Sequence, residues 1–382
     1  MLLEIYNRFP KTFVKGDKNT LYDKEEKSYL DFASGIGVNS IGYNHPLWVK
    51  NVTEQAVKLA HTSNLYHTEP AAKLAEKLVE ISGLSGVFFA NSGAESNEGL
   101  IKMARKYAKD KYGNGRHTIV TLENSFHGRT ITTLSATGQD KFHQHFHPFT
   151  EGFIHVPAND IDAIHGLGEG ICAVLLESVQ GEGGVCPLEK DYVKQVAKIC
   201  AEKDWLLLFD EVQTGIGRTG CWFGYQHFGV LPDGISFAKG IGGGLPLGGF
   251  ILGEKCKHVF SFGDHGTTFG GNPIACAGGL AVLEVVGDIL ADVEEKSQFV
   301  INKLSGIKGL KDVRGRGLMI GAVVDEKLGT VGDVVTEILD FGVVTLSAGS
   351  DVLRLLPPLT VTMEELEVGL GVIEEVCARR LG

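Results

Sequence analysis

The apolar run Gly234-Ile-Ser-Phe-Ala238 ends at Lys239, and Gly240, Gly242, Gly243 and Gly244 follow closely. Such an amine has few neighbouring side chains to cover it or pair with it. It fits an ordinary lysine at the exposed end of a strand. It equally fits a nucleophile that forms a Schiff base with a carbonyl cofactor. Bare backbone lets a cofactor approach closely. Asp210 closes the most apolar run, Trp205-Leu-Leu-Leu-Phe209, and a carboxylate there needs a partner. It fits a helix N-cap, a structural ion pair or the counter-ion of a protonated ring nitrogen. Ser92-Gly93-Ala94 stands directly before a segment, 94–110, with apolar or small residues at 100, 103, 104, 107 and 108. That spacing is helical. Ser92 suits an N-cap, and the free N–H groups beside it suit an anion.

Two other patterns carry less. Gly215-Ile-Gly-Arg-Thr-Gly220 matches G-x-G-x-x-G and follows a strand. The motif needs a helix to open after it, and 221–232, with Gly224, Gly229 and Pro232, lacks helical periodicity. His143, His145 and His147 alternate, which on a strand places all three on one face. With no cysteine or carboxylate at ligand spacing, they predict a solvated or core face, and no metal is expected.

These residues need a frame. Apolar runs at 87–90, 117–122, 171–176, 205–209, 234–238 and 248–252 read as strands, and 189–204 as an amphipathic helix between two of them. Apolar strands separated by helices predict a mainly parallel sheet covered on both faces. Ligands gather at the carboxyl ends of such strands. There lie Asp210-Glu-Val-Gln213, Lys239, Glu123-Asn-Ser-Phe-His-Gly-Arg129, and Glu177 with Gln180-Gly-Glu-Gly-Gly184. The last hundred residues read as two helices near 273–305, short strands and a helix at 363–380. The expected fold class is α/β with a second, smaller α+β domain. The expected divisions are 1–50 (part of the small domain), 51–280 (large domain) and 281–382 (small domain).

Composition narrows the function. Of 382 residues 51 are glycine, yet only 11 are proline and 43% are hydrophobic, which excludes collagen and disorder. Seventeen of those glycines fall between 215 and 271, around Lys239. The net charge of −11 argues against a nucleic-acid partner. Runs such as Ile171–Leu176 are too short to span a membrane, and MLLEIYNRFPK lacks the pattern of a secretion signal. Seven scattered cysteines suggest reduced thiols in a cytoplasmic protein.

Taken together, the motifs resemble the class III (ω-amino acid) aminotransferases of pyridoxal-phosphate fold type I. The resemblance runs through LDFASGIGVNSIGYNHP (30–46), SNLYHTEPAAKLAEKL (63–78), VFFANSGAESNEGLIKMARKY (87–107) and SFHGRT (125–130). It continues in QGEGGV (180–185), LLLFDEVQTGIGRTG (206–220), FAKGIGGGLPLGG (237–249), HGTTFGGNP (265–273) and LRLLPPL (353–359). One departure stands at Ser178 in LLESVQGE, where proline is usual.

The resemblance implies pyridoxal 5'-phosphate as cofactor. Lys239 would bond to it and then act as general base. Asp210 would pair with its ring nitrogen. Val212 and Phe126 would sandwich the ring beside His127, and Gln213 would reach its hydroxyl. Ser92, Gly93 and Ala94 would hold its phosphate, together with Thr268 of a second subunit in a homodimer. Arg129 would hold the distal carboxylate of either substrate, and Arg354 the α-carboxylate of glutamate. Glu182 would neutralise Arg354 when no such carboxylate is present. Pocket residues near Gly37, among them Val38 and Asn39, would set how much acyl group fits. Within the class the motifs look most like members acting on N2-acetylornithine with 2-oxoglutarate. Ornithine, succinylornithine and 4-aminobutyrate enzymes share most of them, and a non-catalytic cofactor-binding regulator is the remote alternative.

Overall fold

The computed structural model describes residues 1–382. Seven strands form a central sheet in the order Gly86–Ala90, Gly248–Leu252, Gly234–Phe237, Leu206–Asp210, Ile171–Glu177, Thr118–Leu122, Phe153–Val156. The last five are parallel to one another, whereas Gly248–Leu252 runs antiparallel to both its neighbours. Successive residues of a strand point to opposite faces. Leu206 and Leu208 therefore join Ala173, Leu175 and Phe250 on one side. Leu207 and Phe209 join Val174 and Leu176 on the other. An unbroken apolar run is what a strand buried on both faces requires.

The helix Gly93–Tyr112 covers the first face with Leu100, Ile101, Met103, Ala104 and Ala108. It lies close because Gly99 has no side chain: a Cβ there would sit 2.1 Å from the Phe250 ring. The helix Lys190–Lys203 presents Val193, Val196 and Ile199 to the opposite core. It ends at Asp204, whose backbone is left-handed at φ 51°. The Asp204 carboxylate gathers Lys111 at 2.5 Å, Lys255 at 2.9 Å and the Tyr112 hydroxyl.

The C-terminal third forms a four-stranded sheet ordered Leu310–Arg316, Met319–Val324, Val352–Leu355, Leu346–Ala348. The helices Val293–Gly306, Val331–Asp340 and Met363–Arg380 accompany it. The N-terminal strands Phe13–Asp17, Thr20–Asp23 and Ser28–Asp31 form another sheet, completed by Val343–Val344 parallel to Ser28–Asp31. Asn19 bonds Glu365 at 2.7 Å, so the two ends of the chain meet.

Several expectations need correction. His143, His145 and His147 are not on a strand. They follow a short 3-10 turn, Asp140–Phe142, and His143 Nε2 instead meets the Leu134 carbonyl at 2.8 Å. The strand Phe153–Val156 and the helix Pro46–Lys58 were not foreseen. The helix buries only Gln55 fully, so its apolar periodicity is faint. The helical stretch 273–306 contains a window of mean hydropathy 1.9, more apolar than the short strand runs and long enough to match a membrane span. Just over half of that window is buried, and its first helix, Pro273–Ile289, packs on Pro46–Lys58 and Glu69–Ser82. It is the core helix of this fold.

Candidate active site

Strand register aligns the chemistry. Asp210 lies opposite Glu177 on one side and Ser236 on the other, so three polar residues form a row at the carboxyl ends of three parallel strands. Lys239 follows just beyond the third strand, with left-handed backbone at φ 45°. Glu177, Asp210 and Lys239 border a cavity of about 440 Å³. Ser92, Gly93 and Ala94 enter it from the start of the helix Gly93–Tyr112, where Ser92 is the N-cap and accepts from the Glu95 amide. A Cβ on Gly93 would meet Val212 Cγ1 at 2.7 Å, so this glycine lets the helix end and Val212 lie side by side. Phe126, His127, Arg129, Glu182, Val212, Gln213 and Val38 complete the expected set on the cavity wall.

Three residues expected from this chain, and Thr268, which is expected from a second subunit, do not border it. Gly37 and Asn39 lie outside it, Asn39 behind Gly244, whose Cβ would meet its amide oxygen at 3.3 Å. Thr268 is exposed on a separate surface. Arg354 is buried behind Glu182, Nη1 to Oε1 2.6 Å, and also donates to Gln213 Oε1 at 3.3 Å. Gly215–Gly220 turns without opening a helix and stays off the cavity. Conversely, Asn97 and Glu177 border the cavity without having been assigned a role. Asn97 had a signal: it is four residues after Gly93, hence on the same helix face.

The electrostatics follow from these contacts. Burial alone would raise the Asp210 carboxyl, but the hydrogen bond with His127 Nδ1 at 2.8 Å, the charge of that ring and the other donors together outweigh burial and hold it below the usual range. Asn97 Nδ2 at 2.7 Å and the Val212 amide at 3.0 Å add to that hold. Burial disfavours charge on His127, yet Asp210 draws its proton affinity up. Burial outweighs the neighbouring His127, and the Glu177 carboxyl is pushed up to about 8. Its Oε2 accepts the Phe126 amide at 3.0 Å. Burial lowers the Lys239 amine even though Asp210 and Glu182 lie near. The sequence had suggested an amine without charged neighbours, and folding supplies them. Burial would raise Glu182, but Arg354 wins and holds it down. The departure at Ser178 leaves a fully buried hydroxyl without a partner, next to Gly224, whose absent Cβ would sit 2.0 Å from it.

A buried amine whose hold on its proton is weakened, a carboxylate bonded to a histidine, and a helix start facing one cavity suit the binding of a phosphorylated carbonyl cofactor. The chain matches the family model for class III aminotransferases over residues 5–377 and belongs to that family. It is 50% identical to an acetylornithine aminotransferase of Haemophilus ducreyi, covering 98% of this chain and 96% of that one. Among solved structures it superposes on N-acetylornithine aminotransferase from Stenotrophomonas maltophilia at TM-score 0.85 and 35% identity, covering 98% and 97% of the two chains. The ornithine aminotransferase of Toxoplasma gondii, described with pyridoxal phosphate at its active site, gives TM-score 0.94 at 29% identity, with 99% and 94% covered.

Proposed function

We propose that this aminotransferase moves the δ-amino group of N2-acetylornithine to 2-oxoglutarate, giving N-acetylglutamate 5-semialdehyde and glutamate, as a step of arginine biosynthesis. The observation that carries this reading is the Arg354–Glu182 pair at 2.6 Å beside Lys239. A δ-amine donor has no carboxylate at its reacting carbon, and glutamate has one. A buried arginine with its own removable carboxylate serves both.

Bound in the cavity, pyridoxal 5'-phosphate supplies an electrophilic carbonyl and, through its protonated ring nitrogen, a sink for electrons. Asp210 would hold that nitrogen's proton, and His127 keeps Asp210 anionic. A neighbouring negative charge favours the protonated ring. Val212 and Phe126 would orient the ring, Gln213 its hydroxyl, and Ser92, Gly93 and Ala94 the phosphate. Lys239 would hold the cofactor covalently, then take the proton from the carbon bearing the amine. Arg129 at the cavity wall would grip the distal carboxylate in a planar fork. The carbonyl product of the donor would leave, its amino group retained, before 2-oxoglutarate binds, which gives ping-pong kinetics.

We place the enzyme in the cytoplasm as a homodimer with cofactor sites at the interface. Asn64 bonds the Thr267 and Gly270 carbonyls at 3.1 and 3.0 Å. This joins the exposed Leu65, Tyr66 and Phe269 to Thr268 in one patch that a second copy would cover. The division into 1–50, 51–280 and 281–382 suits the N-terminal strands' sharing of a sheet with Val343–Val344. Initial rates with 2-oxoglutarate against acetylornithine, succinylornithine, ornithine and 4-aminobutyrate test the substrate. A preference for another donor overturns it. Lys239→Ala is expected to abolish both the cofactor's near-visible band and turnover. Retention of both would remove Lys239 from the site.

A further inference from the structure

Arg218, the arginine of the Gly215–Gly220 loop, is 2% exposed and meets no carboxylate within salt-bridge distance. Its Nη1 donates to two main-chain carbonyls, Leu318 at 2.9 Å and Pro357 at 2.5 Å. Leu318 precedes the strand Met319–Val324, and Pro357 follows the strand Val352–Leu355. These two strands are antiparallel neighbours, with Ile320 opposite Leu355 and Gly321 opposite Arg354. The guanidinium therefore clamps one shared end of the pair, three residues from Arg354. The Leu318 amide returns a bond to the Arg218 carbonyl at 2.9 Å. The turn before it is pressed so close that a Cβ on Gly317 would lie 2.4 Å from the Thr219 carbonyl carbon. The same chain exit holds the N-terminal segment: Leu356 donates to the Phe32 carbonyl at 2.7 Å, and Ser34 Oγ donates to the Leu356 carbonyl at 2.6 Å.

We propose that Arg218 is a positioning residue for the carboxylate end of the site, fixing where the strand Val352–Leu355 presents Arg354. The proposal rests on the reading of Arg354 as the group that receives glutamate's α-carboxylate. Carbonyl acceptors explain why an arginine stands there. The Nη1 nitrogen alone carries two N–H donors, so one side chain reaches two carbonyls on adjacent strands from one loop. In the δ-amine half-reaction Arg354 stays paired with Glu182 and need not meet substrate. In the glutamate half-reaction it must meet a carboxylate with the right geometry. Loosening the clamp therefore harms the two halves unequally.

The test uses cofactor-loaded R218M and R218K, with R354K as reference, in single-turnover reactions over a range of glutamate or acetylornithine concentrations. In R218M the half-saturating glutamate concentration is expected to rise about ten-fold, as for loss of one charge-assisted hydrogen bond between Arg354 and the glutamate carboxylate. The limiting rate and the acetylornithine half-reaction should stay within about two-fold, and R218K should show the same asymmetry more weakly. Equal losses in both halves, or none, while R354K affects glutamate selectively would overturn the role of Arg218. Equal losses in R354K itself would instead bring down the reading of Arg354. If R218M does not fold, R218K decides by the same comparison.

Discussion

Replacing Glu182 by alanine removes the only carboxylate paired with Arg354. The pair is short, 2.6 Å, and the arginine is 2% exposed with its Nε already lacking a partner. A charge-assisted hydrogen bond contributes about 1.5–3 kcal/mol. Because Glu182 keeps 32% of its side-chain surface, solvent screening favours the lower part of that range, about 1.5–2 kcal/mol. This corresponds to about ten- to thirty-fold in binding. On the proposed function, glutamate in the parent must displace Glu182 before its α-carboxylate reaches Arg354. In Glu182→Ala it need not, so half-saturating glutamate should fall by that factor. Acetylornithine must instead lie against an unpaired buried cation, and its kcat/KM should fall by at least as much. Stopped-flow traces of each half-reaction, followed by the cofactor's absorbance, measure both. A change of the same direction and size in the two halves would refute the idea that Glu182 acts as a removable counter-charge.

Two further outcomes concern pH. Glu177 has its folded pKa raised to about 8, so its contribution to stability is fully present below the unfolded value near 4.3. It is lost as pH rises through about 8. Glu177→Gln should flatten the fall in melting temperature between pH 6 and 9, and an unchanged slope would contradict this. Asp204 is shifted the other way: burial would raise it, but Lys111, Tyr112 and Lys255 hold it far below the carboxylate range. Its contribution is present above the unfolded value near 3.9 and is lost as pH falls towards the folded one. Discounted for exposure, Asp204→Ala should cost about 1 kcal/mol at pH 7. Denaturant melts of variant and parent should converge towards pH 2, and a constant gap would count against the ion cluster.

What the sequence revealed and what it hid have physical reasons. Strand ends carrying Asp210 and Lys239 were legible because burial on both faces leaves an apolar run that stops abruptly at a polar group. The helix start at Ser92 was legible because capping is local chemistry. Glu177 was harder: its importance comes from register, which sets it opposite Asp210 on the neighbouring strand. His143, His145 and His147 misled because alternation implies a strand only where sheet partners exist, and none pairs there. Arg218 was hidden inside a glycine pattern that suggested a nucleotide loop. Its carbonyl partners, Leu318 and Pro357, lie 100 and 139 residues away, beyond any local pattern. The apolar stretch 273–306 shows the converse, since hydropathy alone does not say whether lipid or protein covers a helix.

The meeting of the chain's two ends has a consequence for how the enzyme is made. Ser34 bonds a carbonyl 322 residues further on, and Asn19 one 341 residues away. Contacts of such separation form late and slowly. From Lys239 to Arg354 is 354 − 239 = 115 residues, which a ribosome adding about 5–20 residues per second needs roughly 6–23 s to translate. Through that interval the nascent chain already has the residues from 92 to 239 that line the cofactor cavity. It lacks Arg354, the arginine proposed to receive glutamate's carboxylate. Translation order thus separates in time two halves of the site that the finished fold holds side by side.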